Sequence, residues 1–240
     1  MGDMDGLCIA VTGAAGNLGA AVCARLLRSG ASVFGIDRQT PRPGFVAALP
    51  GGGKDFASAV AQLADEAQVE AAFARCEERF GSLWALVNLA GAWEGGKPAH
   101  EAGLAVFDRM IDANLRSAYT ASRAAMRRLI ARKAGRIVSV SALSAVSGRD
   151  IAGSAAYAAA KLGVVGLTRA LAEEGAQHGV RANCIAPGTL RTQANIAAMP
   201  GSDPSRWLPL EEVADAIAFL CGPGSAAVNG AVLPLPSGAA

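Results

Sequence analysis

Apolar residues gather along this chain into short unbroken runs separated by longer stretches of helical spacing. Leu7-Cys8-Ile9-Ala10-Val11, Ser32-Val33-Phe34-Gly35-Ile36, Leu83-Trp84-Ala85-Leu86-Val87, Arg136-Ile137-Val138-Ser139-Val140-Ser141 and Ala182-Asn183-Cys184-Ile185-Ala186 all have strand length. Runs without polar alternation suit strands covered on both faces, as in a parallel sheet between helical layers. A weaker strand is predicted at Ala59-Val60-Ala61-Gln62-Leu63 and a last one around Ala231 to Leu235. Helices are predicted from Ala20 to Arg28, stopped by Gly30, and from the Asp65 cap to Phe80, with Val69, Phe73 and Phe80 on the apolar side. Others run from Leu104 to Arg132, from Ala155 to Gln177 and from Glu211 to Cys221. Residues 41–54 and 148–153 read as loops and 193–208 as irregular. Strands alternating with helices predict an α/β fold, a doubly wound parallel sheet that binds ligands at the carboxyl ends of its strands. No linker rich in Pro, Gly or Ser and no charge block divides the 240 residues, so one domain over 1–240 is expected.

Composition narrows the function. Hydrophobic residues make up 52% of the chain, enough for a large core, yet no apolar run approaches the ~18 residues of a membrane span. Met1-Gly2-Asp3-Met4-Asp5 has neither a basic head nor an apolar core, so no signal peptide is expected, and Gly6 departs from the myristoylation pattern. A net charge of +2 gives no case for a nucleic-acid partner. The basic cluster Arg123, Arg127, Arg128, Arg132, Lys133 and Arg136 reads as a solvated helix face. Five cysteines, without a CxxC pair, read as small buried hydrophobes in a reducing cytoplasm. His100 and His178 are too few and too far apart for a metal site built on histidine.

The first strand feeds its helix through Thr12-Gly13-Ala14-Ala15-Gly16-Asn17-Leu18-Gly19. Small residues there let backbone N–H groups and the positive helix end meet a phosphate with no Cβ in the way. The second strand ends in Asp37, where a carboxylate can accept both ribose hydroxyls of an adenosine and repel a 2′-phosphate. Arg38 follows and could hold that phosphate, but the acid at the strand end favours NAD over NADP. Tyr157 and Lys161 lie four apart on one helix, hence on one face. An ammonium within ~4–6 Å of a phenol favours the phenolate, and a phenol so tuned can exchange a proton with an alcohol or carbonyl oxygen. Asn114 sits inside the long helix, where its amide competes for backbone bonds. Taken singly, each of these features also has an ordinary structural reading.

Their order along the chain resembles the short-chain dehydrogenase/reductase family over essentially the whole sequence. The residues concerned are Thr12-Gly13 through Gly19, Asp37, Asn88-Leu89-Ala90-Gly91, Asn114, Tyr157-Ala-Ala-Ala-Lys161 and Pro187-Gly188-Thr189-Leu190-Arg191-Thr192. The resemblance implies a Rossmann-type sheet of about seven strands and an oxidoreductase interconverting a carbonyl and a secondary alcohol with NAD(P). Tyr157 would be the acid/base, Lys161 would lower its pKa and hold the nicotinamide ribose, Asn114 would order a relay water, and Thr192 would contact the nicotinamide amide. The remaining cofactor contacts would come from Thr12, Gly13, Ala15, Gly16, Asn17, Leu18, Gly19, Asp37, Arg38, Gln62, Leu63, Asn88, Ala90, Gly91, Pro187 and Gly188. A homo-oligomer, a tetramer or dimer paired through the helices of Asn114 and Tyr157, is also implied. Trp93, Glu94 and segment 193–208 should border a small-molecule substrate.

Three positions depart from the family pattern. Asn17 stands at the middle glycine of the loop, Gln62 replaces an acid near adenine, and the tail Val228 to Gly238 matches only loosely. The family's catalytic serine is ambiguous. Counting forward from Ile137-Val138-Ser139-Val140 places Ala142 there, between Ser141 and Ser144, whereas counting back thirteen residues from Tyr157 gives Ser144. Ser144 is chosen. The alternatives are a dihydropteridine-reductase-like activity, in which the serine can be absent, and a nucleotide sensor without turnover.

Overall fold

The computed structural model describes residues 2–237. Its centre is one seven-stranded, wholly parallel sheet in the order β3-β2-β1-β4-β5-β6-β7. The strands are β1 (Cys8–Thr12), β2 (Ser32–Asp37), β3 (Phe56–Val60), β4 (Leu83–Asn88), β5 (Gly135–Val140), β6 (Val180–Pro187) and β7 (Val232–Leu235). Alternate side chains of β1 enter different layers, as a strand buried on both faces requires. Ile9 and Val11 pack with α1 (Asn17–Arg28) and α9 (Leu210–Cys221) on one face. Cys8 and Ala10 pack with α3 (Glu66–Phe80), α5 (Ser117–Arg132) and α7 (Ala155–Ala176) on the other. The chain runs outward from β1 to β3 and then returns to β4 on the far side of β1. Strand order therefore reverses between β1 and β4, and a crevice opens outside their carboxyl ends.

Most elements fall where the apolar runs place them, and the differences have physical causes. Helix α1 starts at Asn17, three residues earlier than expected, so Asn17, Leu18 and Gly19 form its first turn. Strand β3 lies at 56–60, because Phe56 and Ala59 are the buried positions, whereas Gln62 is exposed beyond the strand. Within 41–54 the chain forms α2 (Phe45–Ala48) and a 3₁₀ turn, Pro50–Gly53, in which Gly51 and Gly52 take positive φ. The predicted long helix is three segments: α4 (Leu104–Met110), a π turn at Ile111–Arg116, and α5. Between β5 and α7 the chain adds α6 (Leu143–Ser147), and segment 193–208 contains α8 (Gln193–Ala198) and a 3₁₀ turn, Pro204–Arg206.

The basic cluster is not a free solvated face. Arg123 and Arg127 pair with Glu66, Arg127 and Arg128 with Glu70, and Arg128 with Glu77, which fastens α5 to α3. Arg136 lies buried in β5, stacked on Trp84 and donating to the Ser225 hydroxyl and to the Gly135 and Pro223 carbonyls. All five cysteines are free and buried. No helix among the described residues is long and apolar enough to cross a membrane. Gly238, the last residue of the loosely matching tail, lies outside the described residues.

Candidate active site

Two loops flank the crevice, one after β1 and one after β4. Thr12, buried at the end of β1, joins them: its hydroxyl accepts the N–H groups of Leu89 and Ala90, both at 3.2 Å. Gly13 has φ +69°, and a Cβ there would stand 2.9 Å from the Ala90 nitrogen. A Cβ on Gly19 would collide with the Gly13 and Ala14 carbonyls. Helix α1 begins after Gly16 with no side-chain cap and no acid in its first turn. Its leading N–H groups therefore point outward unpaired, together with the positive end of the helix dipole. This bare cradle fits a pyrophosphate. Asp37, half-buried at the end of β2, accepts the Ala15 N–H at 3.2 Å and the Arg38 N–H at 2.8 Å. Arg38 itself is exposed. Past β3, the Ala61 N–H bonds the Asp37 carbonyl, which brings Gln62 and the half-buried Leu63 to the same sheet edge.

Asn88 ends β4 fully buried and donates to the hydroxyls of Ser122 and Ser139 at 2.9 and 3.2 Å. Three residues on, Gly91 lies against two candidate groups. A Cβ there would stand 2.7 Å from Asn114 Oδ1 and 3.4 Å from Lys161 Nζ. Asn114, buried in the π turn, donates to the Ala92 and Met110 carbonyls and accepts the Ala92 N–H at 3.3 Å. A π turn leaves backbone groups off the α-helical ladder, which suits a side chain that competes for such bonds.

Lys161 is buried on α7, and its Nζ donates to the Val140 carbonyl at 3.0 Å. Ser141 returns the bond, its hydroxyl donating to the Lys161 carbonyl at 2.8 Å. This reciprocal pair ties α7 to the end of β5. The role of Ser141 was detectable only as a serine closing an apolar run, and that of the Val140 carbonyl left no signal in the sequence. Lys161 Nζ sits 5.8 Å from the centre of the Tyr157 ring. Burial pushes the Tyr157 phenol up to about 12 and pulls the Lys161 ammonium down to about 8, a nearby Cys184 opposing the latter. Desolvation alone accounts for the rise of the phenol, against the expected lowering by the lysine.

Tyr157 packs against an apolar cluster of Ala142, Ala145 and Ala158 with Ile151. Ala142 is extended at the start of α6, and Ser144 lies one residue inside that helix, half-buried, its hydroxyl without a partner among the described residues. The structure thus brings together Gly91, Asn114, Tyr157 and Lys161. Ser144 and Thr192 share no hydrogen bond with them. The Thr192 hydroxyl instead caps α8 by accepting the Asn195 N–H at 3.1 Å. Pro187 ends β6, and Gly188 is held by the Leu235 carbonyl at 2.8 Å.

A family model described as short chain dehydrogenase matches residues 7–202. The chain belongs to that family. Two relatives align along nearly their whole length. The 2-(S)-hydroxypropyl-CoM dehydrogenase 3 of Xanthobacter autotrophicus is 34% identical over 96% of this chain and 95% of its own. The cis-4-hydroxycyclohexanecarboxylate dehydrogenase of Sinomonas cyclohexanicum is 36% identical over 95% and 94%. Among solved structures, NAD+-bound xylitol dehydrogenase superposes with TM-score 0.88 at 26% identity, over 98% of this chain and 99% of that one. Levodione reductase does so with TM-score 0.88 at 28% identity, over 97% of both. This short-chain dehydrogenase is accordingly an oxidoreductase of CH–OH groups, and its sheet is the family's Rossmann-type sheet.

Proposed function

We propose that this short-chain dehydrogenase interconverts a secondary alcohol and a carbonyl with NAD, Tyr157 serving as the proton donor and acceptor. The observation that carries the reading is the grouping of Gly91, Asn114, Tyr157 and Lys161 beside the bare cradle of residues 13–19, at the point where strand order reverses. The nicotinamide, when bound, supplies or accepts the hydride. Residues Gly13 to Gly19 would hold its pyrophosphate and Asp37 the adenosine ribose, which supports NAD over NADP. Lys161 would hold the nicotinamide ribose, and Thr192 the amide.

With its phenol at about 12, Tyr157 is fully protonated at neutral pH and ready to donate to a carbonyl oxygen. The Lys161 ammonium opposes that high value once it faces the phenol. Asn114 spends its amide on Ala92 and Met110, which supports a role in fixing the loop that follows Gly91. The exposed apolar residues Leu104, Phe107, Tyr119 and Leu162 on α4, α5 and α7 support a homo-oligomer paired through these helices, and light scattering should report a mass above the monomer's. Five free, buried cysteines support a place in the reducing cytoplasm.

A turnover screen with NAD(H) and NADP(H) across ketones, 3-oxoacyl thioesters, sugars and quinonoid pterin tests the reading. No turnover of any carbonyl or alcohol would refute it. The packing of Ala142 beside Tyr157 favours a second reading, a dihydropteridine-reductase-like site without a serine donor. Ser144→Ala separates the two: a loss on the order of a hundredfold assigns the donor to Ser144, and a silent variant favours the second.

A further inference from the structure

Cys8 opens β1 and Cys76 lies in α3, 68 residues later, and both are buried. Their sulfurs share a hydrogen bond at 3.4 Å, the only bond between thiols among the described residues. Neither thiol has a part in the chemistry proposed above, since Cys8 starts the strand whose other end carries Thr12 and the crevice. A disulfide needs its sulfurs about 2.05 Å apart. Closing the difference asks for roughly 1.4 Å of approach, shared between two side chains that already meet.

In the closed fold the pair is protected. The bond to Cys8, and then burial, push the Cys76 thiol well above its ordinary range, and a protonated thiol is a poor nucleophile. An oxidant reaches Cys76 only when α3 lifts from the sheet. Arg128 of α5 holds down the stretch of α3 that carries it. Its guanidinium stacks 5.2 Å from the centre of the Phe73 ring and bonds Glu77 at 2.9 Å, and these two residues flank Cys76. Contacts of this kind open and reclose without global unfolding, and in the open form Cys76 regains an ordinary thiol pKa. We propose that Cys8 and Cys76 form a modification site, a dithiol that a peroxide converts to a disulfide stapling α3 to β1. The Cys76 thiolate attacks a peroxide oxygen and the O–O bond breaks. Cys76 becomes a sulfenic acid, and the departing hydroxide leaves as water with the thiol's proton. When α3 settles back, the Cys8 sulfur displaces the hydroxyl from Cys76 and the S–S bond forms. The Cys8 proton leaves with that hydroxyl as a second water. Two thiols are oxidised and one peroxide is reduced. The staple acts on stability, because it lies at the end of β1 away from the crevice.

The test treats the reduced protein with hydrogen peroxide, then denatures it, alkylates it with N-ethylmaleimide, measures its intact mass and maps its unreduced tryptic peptides. The expected product has lost two hydrogens, keeps three of its five thiols and joins the peptides of Cys8 and Cys76. Its Tm should lie roughly 5–10 °C above that of the reduced protein, a gain that dithiothreitol reverses. Cys8→Ser should stop at a sulfenic acid on Cys76, trapped by dimedone, with no cross-link. Arg128→Gln should form the staple about tenfold faster than wild type, and low urea should speed the wild type in the same sense. Five alkylated thiols after oxidation, a disulfide between other cysteines, or sulfinic acid on Cys76 beside a reduced Cys8 would each overturn the site. A rate that neither Arg128→Gln nor urea raises would overturn the opening step.

Discussion

The two sides of the crevice are held by opposite means. Around the glycine cradle of residues 13–19 the chain is positioned by what its residues lack: no Cβ on Gly13 or Gly19, no side-chain cap on α1, no acid in its first turn. Around Tyr157 it is positioned by side chains that reach across from other elements, Asn114 to Ala92, Lys161 to Val140, Ser141 back to Lys161 and Arg109 to Glu94. A site made of backbone recognises a group common to many reactions. A site made of side chains can change its substrate one residue at a time while the cofactor stays put.

Tyr157→Phe should separate the two sides most sharply. Loss of the hydroxyl should cut turnover by about two to four orders of magnitude while NADH titration shows nearly unchanged affinity. A variant that keeps more than about a hundredth of the rate would remove Tyr157 from acid/base catalysis. Asp37→Ala probes the other side and should act in the reverse sense. The preference for NAD(H) over NADP(H) should narrow by about tenfold, with kcat at saturating NAD(H) much less affected. Tighter wild-type binding of NADPH than NADH would undo the assignment of Asp37.

The smallest effect concerns Lys161, which lies between Gly91 and the end of β5. Its ammonium falls from 10.5 to about 8 on burial. Between those values the unfolded chain holds a proton that the folded chain has lost, so stability from this group rises with pH across the window. Lys161→Met, which removes the buried charge, should therefore melt above wild type below about pH 8. The gap should close as pH rises toward 10. Tyr157 works in the opposite sense above pH 10, so thermal melts are compared below that. A gap constant with pH would mean that the ammonium is not desolvated in the free protein.

The sheet was legible because strands buried on both faces leave unbroken apolar runs, and six of seven lie within two residues of where those runs predict. Strand β3 was displaced because Ala57-Ser58 dilutes its apolar signal, while Ala61 and Leu63 extend the apolar pattern past its end. The glycine loop, Asp37, Asn114, Tyr157 and Lys161 were legible as an ordered series. Contacts across the fold were not. Nothing in local sequence tells that Arg136 turns inward onto Trp84 while Arg123 and Arg127 meet α3, since that depends on the strand and helix ends brought together in space. Short α6 and α8 carry too few residues for a helical period to emerge.

The π turn at Ile111–Arg116 amounts to one surplus residue in an otherwise continuous helix. Each residue of an α-helix advances the face by about 100°, so the turn sets α4 and α5 out of phase by that angle. Upstream of it, Arg109 faces the loop of residues 92–96. Downstream, Ser122 meets Asn88 under the sheet end, and Arg127 and Arg128 meet α3. Excising a single residue from the turn would give a more regular helix and a broken enzyme. Either the Arg109 face or the Ser122 face would swing away from its partners, and the Met110 carbonyl that now accepts the Asn114 amide would return to the backbone ladder.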